Sequence, residues 1–336
     1  MLRKIKKKSS YLKVSLFIFM FACIAILLLQ WKTVLFNKTY LPREVDTAKK
    51  EYDDKILEKN QDPKKNQKQE AIDIKTNKLY SPNAILSDLK GNQVLMEKNS
   101  NGKIYPASLT KIMTAILVID TVSDVNQTIK LSSDIFPGLY ASDASMAGFL
   151  PNEKVKVIDL LYGVLLPSGA EACLGLANEI AGSEENFVKM MNEKAVKLGM
   201  KGTHFRNSTG LQDSQHYTTV KDMAILLQYA LQNNVFRKIY TSNRYSTKPT
   251  NLNPHGITFY NTMFKYMDRT DVTGGKILGG KTGYTEEAGL CLASLAVVNG
   301  KEYIMVTAGA NGNHKTKQFH ILDAFNIYNQ IGQVSH

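Results

Sequence analysis

A serine and a lysine three positions apart open the chemical reading of this chain. In Tyr105–Lys111, "YPASLTK", Ser108 and Lys111 share one face of a helix that starts near Ser108. A serine oxygen is a weak nucleophile until a base takes its proton. Apolar residues at 109, 112, 113, 116, 117 and 119 give that helix an apolar face, so Lys111 is expected to be partly buried. Burial lowers a lysine pKa, and a neutral lysine can serve as that base. A serine at a helix N-terminus is more often only a cap, and Ser-x-x-Lys alone is a weak pattern.

A second stretch is "GGKILGGKTGYT", Gly274 to Thr285. Gly275 to Thr282 fits the phosphate-loop pattern G-x-x-x-x-G-K-[ST], and "AILVID", Ala115 to Asp120, resembles an apolar run before a magnesium-binding Asp. The context opposes that reading. A phosphate loop needs a buried strand before it and a helix after it. Here a polar segment precedes it, a strand-like segment follows, and Asp120 belongs to a helical pattern. Two other places combine turn residues with polar side chains. One is the Pro167–Glu171 turn between two apolar helical runs, with Ser168 at its centre. The other is Thr203–Ala224, dense in Asn, Ser, Gly, Asp and His and leading into a helix. Each reads equally as ordinary punctuation or an ordered surface loop.

These residues need a frame to meet. Residues 83–101 read as a hairpin around Lys90-Gly91-Asn92, and residues 290–310 as a second around Asn299-Gly300, a strong turn signal. Helical patterns fill the middle of the chain, one of them capped by Ser183 and closed by Gly199, and a last helix ends it. The expected fold is α+β: an antiparallel sheet built from both chain ends plus a helical subdomain.

The chain has 336 residues and a net charge of +12. Residues 1–76 hold 17 Lys/Arg against 9 Asp/Glu, which leaves 25 against 21 for the rest. The folded part is thus only mildly basic, and no nucleic-acid signature accompanies the charge. Residues 1–13 carry six positive charges and no acid, and residues 14–31 are an uncharged apolar run of eighteen. That pattern is expected to be a cytoplasmic tail and a single transmembrane anchor, with the remainder exported. Residues 32–76 are polar and charged and are expected to form a stalk. Residues 77–336 would be the catalytic domain. The three cysteines, at 23, 173 and 291, do not make a disulfide framework. A Cys173–Cys291 bridge and two buried thiols both fit, the thiols better.

Taken in order, Ser-x-x-Lys, a Ser-Gly-x turn sixty residues on, and Lys-Thr-Gly on a strand resemble the active-site set of serine penicillin-recognising enzymes. "YPASLTKIMTA", "PSGAEAC", "THFRNSTGL…HYTTVKDMA" and "GGKTGYTEEAG" resemble the D-alanyl-D-alanine carboxypeptidases among the low-molecular-mass penicillin-binding proteins, over about residues 77–330. The resemblance implies roles. Ser108 would attack the carbonyl between two terminal D-alanines of a peptidoglycan stem peptide, and Lys111 would be its base. Ser168 would relay a proton to the leaving amine. Lys281 would supply positive potential and Thr282 would hold the terminal carboxylate. Gly283 would let the substrate backbone approach the strand. The amides of Ser108 and Tyr284 would form the oxyanion hole. No metal or cofactor is expected, and β-lactams would be covalent inhibitors. His314, Lys315 and Lys317 are candidates for a further grip on the carboxylate. One departure is Ala170, where the family usually has Asn. It keeps open a catalytically impaired sensor, beside a D,D-endopeptidase, as alternatives to a carboxypeptidase in a bacterial cell membrane.

Overall fold

In the computed structural model, residues 74–333 apart from Asn92 are described. The basic tail, the apolar run 14–31 and nearly all of the expected stalk lie outside the described residues. Among the described residues, no helix is long and apolar enough to cross a membrane.

The two expected hairpins form where turn chemistry and alternation place them. Strands β1 (Asn83–Asp88) and β2 (Val94–Lys98) make the first, and β9 (Gly289–Val298) and β10 (Lys301–Ala310) the second. Asn299 and Gly300 both take positive φ at the tight turn, as a two-residue hairpin requires. A six-stranded sheet runs β2-β1-β10-β9-β8-β7, with β7 (Asp271–Val272) and β8 (Gly275–Thr285) completing it. All its pairings are antiparallel. β1 pairs β10, with Ile85 opposite Val306, so the two ends of the chain share one sheet.

Both faces of this sheet are covered. The closing helix Phe319–Gln333 packs on β9 and β10, and an apolar cluster including Ile327, Tyr328, Ala296 and Met305 fills that layer. The larger cluster lies on the other face and runs into the helical subdomain. Helix α1 (Thr110–Thr121) is central there. It touches α3 (Val157–Leu165), α4 (Ala170–Ala181), α5 (Glu184–Leu198) and α6 (Val220–Ala230). The short helix α2 (Phe136–Ala141) comes before α3. Residues 110–118 of α1 are buried without interruption. The helix is thus a core helix whose buried polar side chains, Thr110, Lys111 and Thr114, each need a partner.

The sequence pattern did not mark several short elements. Strands β3 (Thr128–Lys130) and β4 (Lys154–Lys156) pair, as do β5 (Arg244–Ser246) and β6 (Thr258–Tyr260). Helices α7 (Asn234–Tyr240) and α8 (Thr262–Lys265) flank the second pair. Strands of three residues have too little alternation to stand out. Cys173 and Cys291 are both free, buried thiols.

Candidate active site

The nucleophile turn comes first. Pro106 leads into a single 3-10 turn, Ala107–Leu109, and α1 begins at Thr110. Ser108 is thus in the tight turn before the helix rather than in its first α turn. Ala107 takes φ +46, a left-handed conformation uncommon for a residue with a side chain. Such strain persists only where the surroundings enforce it. Two glycines do so here. Gly210 (φ +83) packs so closely that a Cβ on it would run into the Ala107 carbonyl. A Cβ on Gly283 would lie 3.1 Å from the Ser108 amide nitrogen and from the Pro106 carbonyl oxygen. Gly283 thus admits β8 against the backbone of the nucleophile turn. Whatever it leaves open for substrate, its lack of a side chain first serves a contact within the protein.

Lys111 is 3 % exposed. Its Nζ lies 3.0 Å from Ser108 Oγ and donates to the Thr209 carbonyl oxygen at 2.5 Å. Burial lowers its pKa, with the potentials of Cys173 and Glu171 pulling weakly the other way. The loop 206–217 supplies the Thr209 carbonyl. Asn207 shapes that loop by accepting from the Gly210 amide at 2.7 Å. Ser208 ties it to both sides: its carbonyl accepts from Thr114 Oγ1 at 2.6 Å and its amide donates to Glu184 at 2.8 Å. His216 Nε2 lies 2.7 Å from Thr110 Oγ1, one residue before Lys111, and its Nδ1 accepts from the Arg206 amide at 3.0 Å. Burial lowers the His216 pKa to about 4, so the ring is neutral at ordinary pH.

The turn at Ser168 forms because Pro167 cannot continue α3. Ser168 takes φ +71 and reverses the chain, and α4 starts two residues later at Ala170. Ala170 is buried, and its amide donates to the Ser145 carbonyl at 2.8 Å. Glu171 is buried in the first turn of α4, and its Oε1 accepts from the amides of Ala147, Gly148 and Phe149 at 2.7, 2.8 and 3.2 Å. Its Oε2 is buried with no hydrogen-bond partner, and burial raises its pKa. Glu171 therefore fastens the 145–149 loop to the serine turn.

Strand β8 brings the last groups. Lys281 is fully buried, and its Nζ lies 3.0 Å from Ser168 Oγ while donating to the Thr282 carbonyl at 2.8 Å. Burial, with the charge of Lys111 second, pushes its pKa well below the ordinary value. The Thr282 hydroxyl lies 2.7 Å from that of Thr262 at the head of α8. β8 is paired along β9, whereas β7 covers only Gly275 and Lys276. The Lys281–Thr285 end is free of a β7 partner. Its glycines sit in a strand, with a register shift between Ile277 and Gly279, and not in a loop leading into a helix, which closes the phosphate-loop reading.

Four segments far apart in sequence therefore place Ser108 with Lys111, and Ser168 with Lys281, with Thr282 and Gly283 on the adjoining strand. Tyr284 follows on β8, its ring 4.9 Å from the ring of His314. His314, Lys315 and Lys317 are all exposed. Among the described residues, no group of three or more His, Cys, Asp or Glu could hold a metal. Sequence reading missed the Thr209 carbonyl, the Glu171 clamp and Thr262. Only the polar density of residues 203–224 hinted at the first.

A family model described as D-alanyl-D-alanine carboxypeptidase matches residues 66–312. The D-alanyl-D-alanine carboxypeptidase DacF of Bacillus subtilis is 36% identical over 232 residues, 68% of this chain and 57% of the relative. The D-alanyl-D-alanine carboxypeptidase DacC of Escherichia coli is 38% identical over 148 residues, 42% of this chain and 37% of the relative. Little more than half of the first relative's length, and less of the second's, is thus represented. The solved Streptomyces K15 DD-transpeptidase superposes with a TM-score of 0.69 at 25% identity, over 76% of this chain and 98% of that one. A D-alanyl-D-alanine carboxypeptidase from Mycobacterium tuberculosis shares the fold, with a TM-score of 0.67 at 22% identity over 80% and 96%.

Proposed function

The chain belongs to the D-alanyl-D-alanine carboxypeptidase family, and on that premise we propose that it removes the terminal D-alanine from peptidoglycan stem peptides through an acyl-enzyme on Ser108. The observation that carries this reading is the buried Lys111 Nζ 3.0 Å from Ser108 Oγ, a base and nucleophile already in reach.

The proposed steps rest on these contacts and on the roles that the family resemblance implies. Ser108 Oγ bonds to the carbonyl carbon of the penultimate D-alanine as its proton moves to Lys111. The amides of Ser108 and Tyr284 take the negative charge that grows on the carbonyl oxygen, a contribution of about 3 kcal/mol per donor. The carbon–nitrogen bond then breaks as the proton held by Lys111 passes by way of Ser168 Oγ to the leaving amine, so that D-alanine departs and Lys111 is neutral again. Lys281 Nζ donates to Ser168 Oγ and so orients the relay, and Thr282 holds the terminal carboxylate. Water adds to the ester carbonyl as the neutral Lys111 takes one of its protons; the bond from Ser108 Oγ to that carbon then breaks, Lys111 returns the proton to Ser108 Oγ, and the shortened peptide leaves as its carboxylic acid. The chemistry calls for no cofactor. β-Lactams, which present a strained amide to the same serine, would acylate Ser108. The apolar run 14–31, with its basic flank, would anchor the enzyme in a bacterial cell membrane, with residues 32–76 as the stalk and the catalytic domain of residues 77–336 outside.

A fluorescent penicillin should label the wild type and not Ser108→Ala, and the wild type should release D-alanine from a pentapeptide. A chain that takes the label but neither releases D-alanine nor cleaves a cross-link would refute the enzymatic reading.

A further inference from the structure

A groove of about 560 Å³ opens beside the site and is not used by the steps above. Pro167, Ala147 and Phe264 give it an apolar lining, and Thr262 and the exposed Lys265 add polar groups. Its position is informative. Pro167 immediately precedes Ser168, and the Thr262 hydroxyl lies 2.7 Å from that of Thr282. The groove thus begins next to the two side chains that would hold a leaving amino acid, Ser168 at its amine and Thr282 at its carboxylate. An alanine leaving group would bring only a methyl to it. The volume instead falls within the roughly 300–1,000 Å³ of small-molecule sites.

The walls are built, not incidental. One comes from β6, whose hairpin is tied down at its far loop. Buried Glu153 Oε1 accepts from Thr250 Oγ1 at 2.6 Å and Asn253 Nδ2 at 2.8 Å. Asn251 Oδ1 accepts from the Lys154 amide at 2.7 Å. The opposite wall, at Ala147, is held by the Glu171 clamp. A pocket fixed in this way needs little ordering when it fills.

Resting on the proposed reaction, we propose that this groove is a leaving-group subsite for a C-terminal D-residue larger than alanine, one with an aliphatic stem ending in an acid. The stem would lie on the Pro167 and Ala147 side, and the acid would face Lys265.

Two acyl peptides that differ only in ending D-Ala-D-Ala or D-Ala-D-Glu test this, read as release of the terminal residue. The wild type should process the D-Glu peptide within about tenfold of the D-Ala peptide in kcat/KM. Thr258 lies on the exposed rim of the groove on β6, outside the reacting groups. Thr258→Trp should lower D-Glu release at least about tenfold and leave D-Ala release within about twofold. A wild type more than about tenfold slower on the D-Glu peptide, or a variant slowed equally on both, overturns the subsite while D-alanine release still stands. Failure to release D-alanine at all would instead overturn the underlying reaction, and the subsite with it.

Discussion

Lys281 Nζ lies 3.0 Å from Ser168 Oγ across 113 positions of sequence, and both side chains are buried. The fold thus holds a second lysine–serine contact beside that of Lys111 and Ser108. A buried lysine disfavours its own charge, and two near each other do so more. Lys281→Met should cut D-alanine release by about two to three decades. It should also alter the pH dependence of stability. The folded state depresses the Lys281 pKa, so the unfolded chain binds more protons between that depressed value and the ordinary lysine value. Stability therefore rises with pH across this window and is lost as pH falls through it. Urea melts at several pH values should give a flatter curve for Lys281→Met.

Lys111 gives a kinetic counterpart. Burial lowers its pKa, and only the neutral amine can take the serine proton. Penicillin acylation should rise with pH as Lys111 loses its proton, with an apparent pKa below the ordinary value of about 10.4. Lys111→Arg, which stays charged, should acylate at least about a hundredfold more slowly. A pH–rate profile that rises only at the ordinary lysine value would count against this assignment.

Gly210 carries the nucleophile turn from behind. It takes φ +83, and a Cβ there would strike the Ala107 carbonyl. Gly210→Ala should cost about 1–3 kcal/mol of stability. It should also displace the adjacent Thr209 carbonyl from Lys111. Thermal unfolding and the acylation rate, measured on the same preparation, should both fall.

Glu171 separates acceptor geometry from charge. Its Oε1 serves three backbone amides, while Oε2 has no partner. Glu171→Ala leaves those amides unsatisfied and should destabilise by about 3 kcal/mol or more, since each buried orphan costs about 1–3. Glu171→Gln keeps an acceptor oxygen and should cost under about 1.5 kcal/mol. Chemical denaturation distinguishes them, and equal losses would show that the negative charge is what the loop requires.

Ala170 stands where the family resemblance implies Asn. Ala170→Asn should raise D-alanine release by no more than about tenfold, the scale of one neutral hydrogen bond. A gain of two decades in steady-state turnover would mean that the native site is impaired and would revive the sensor reading.

Much of the frame is legible in the sequence. Asn299-Gly300 with its alternating flanks implied the β9–β10 hairpin, and the spacing in residues 109–119 implied α1. Both signals are local, set by side-chain period and turn conformation. Lys111 was also legible as a buried lysine, because it sits on a helix with an apolar face. The short strands β5 and β6 were not, since three residues carry no usable period.

The amino-acid sequence by itself determined which side chains are available and, through helical geometry, that Ser108 and Lys111 must be neighbours. It also determined that Pro167 ends a helix and that Gly283 has no side chain. Only the tertiary structure decided what those facts serve. The Thr209 carbonyl reaches Lys111, Lys281 reaches Ser168, and Gly283 makes room for the backbone of Ser108 before it makes room for any substrate. These are contacts between segments 60 or more residues apart. They depend on how two faces of one sheet are filled, which no local period encodes.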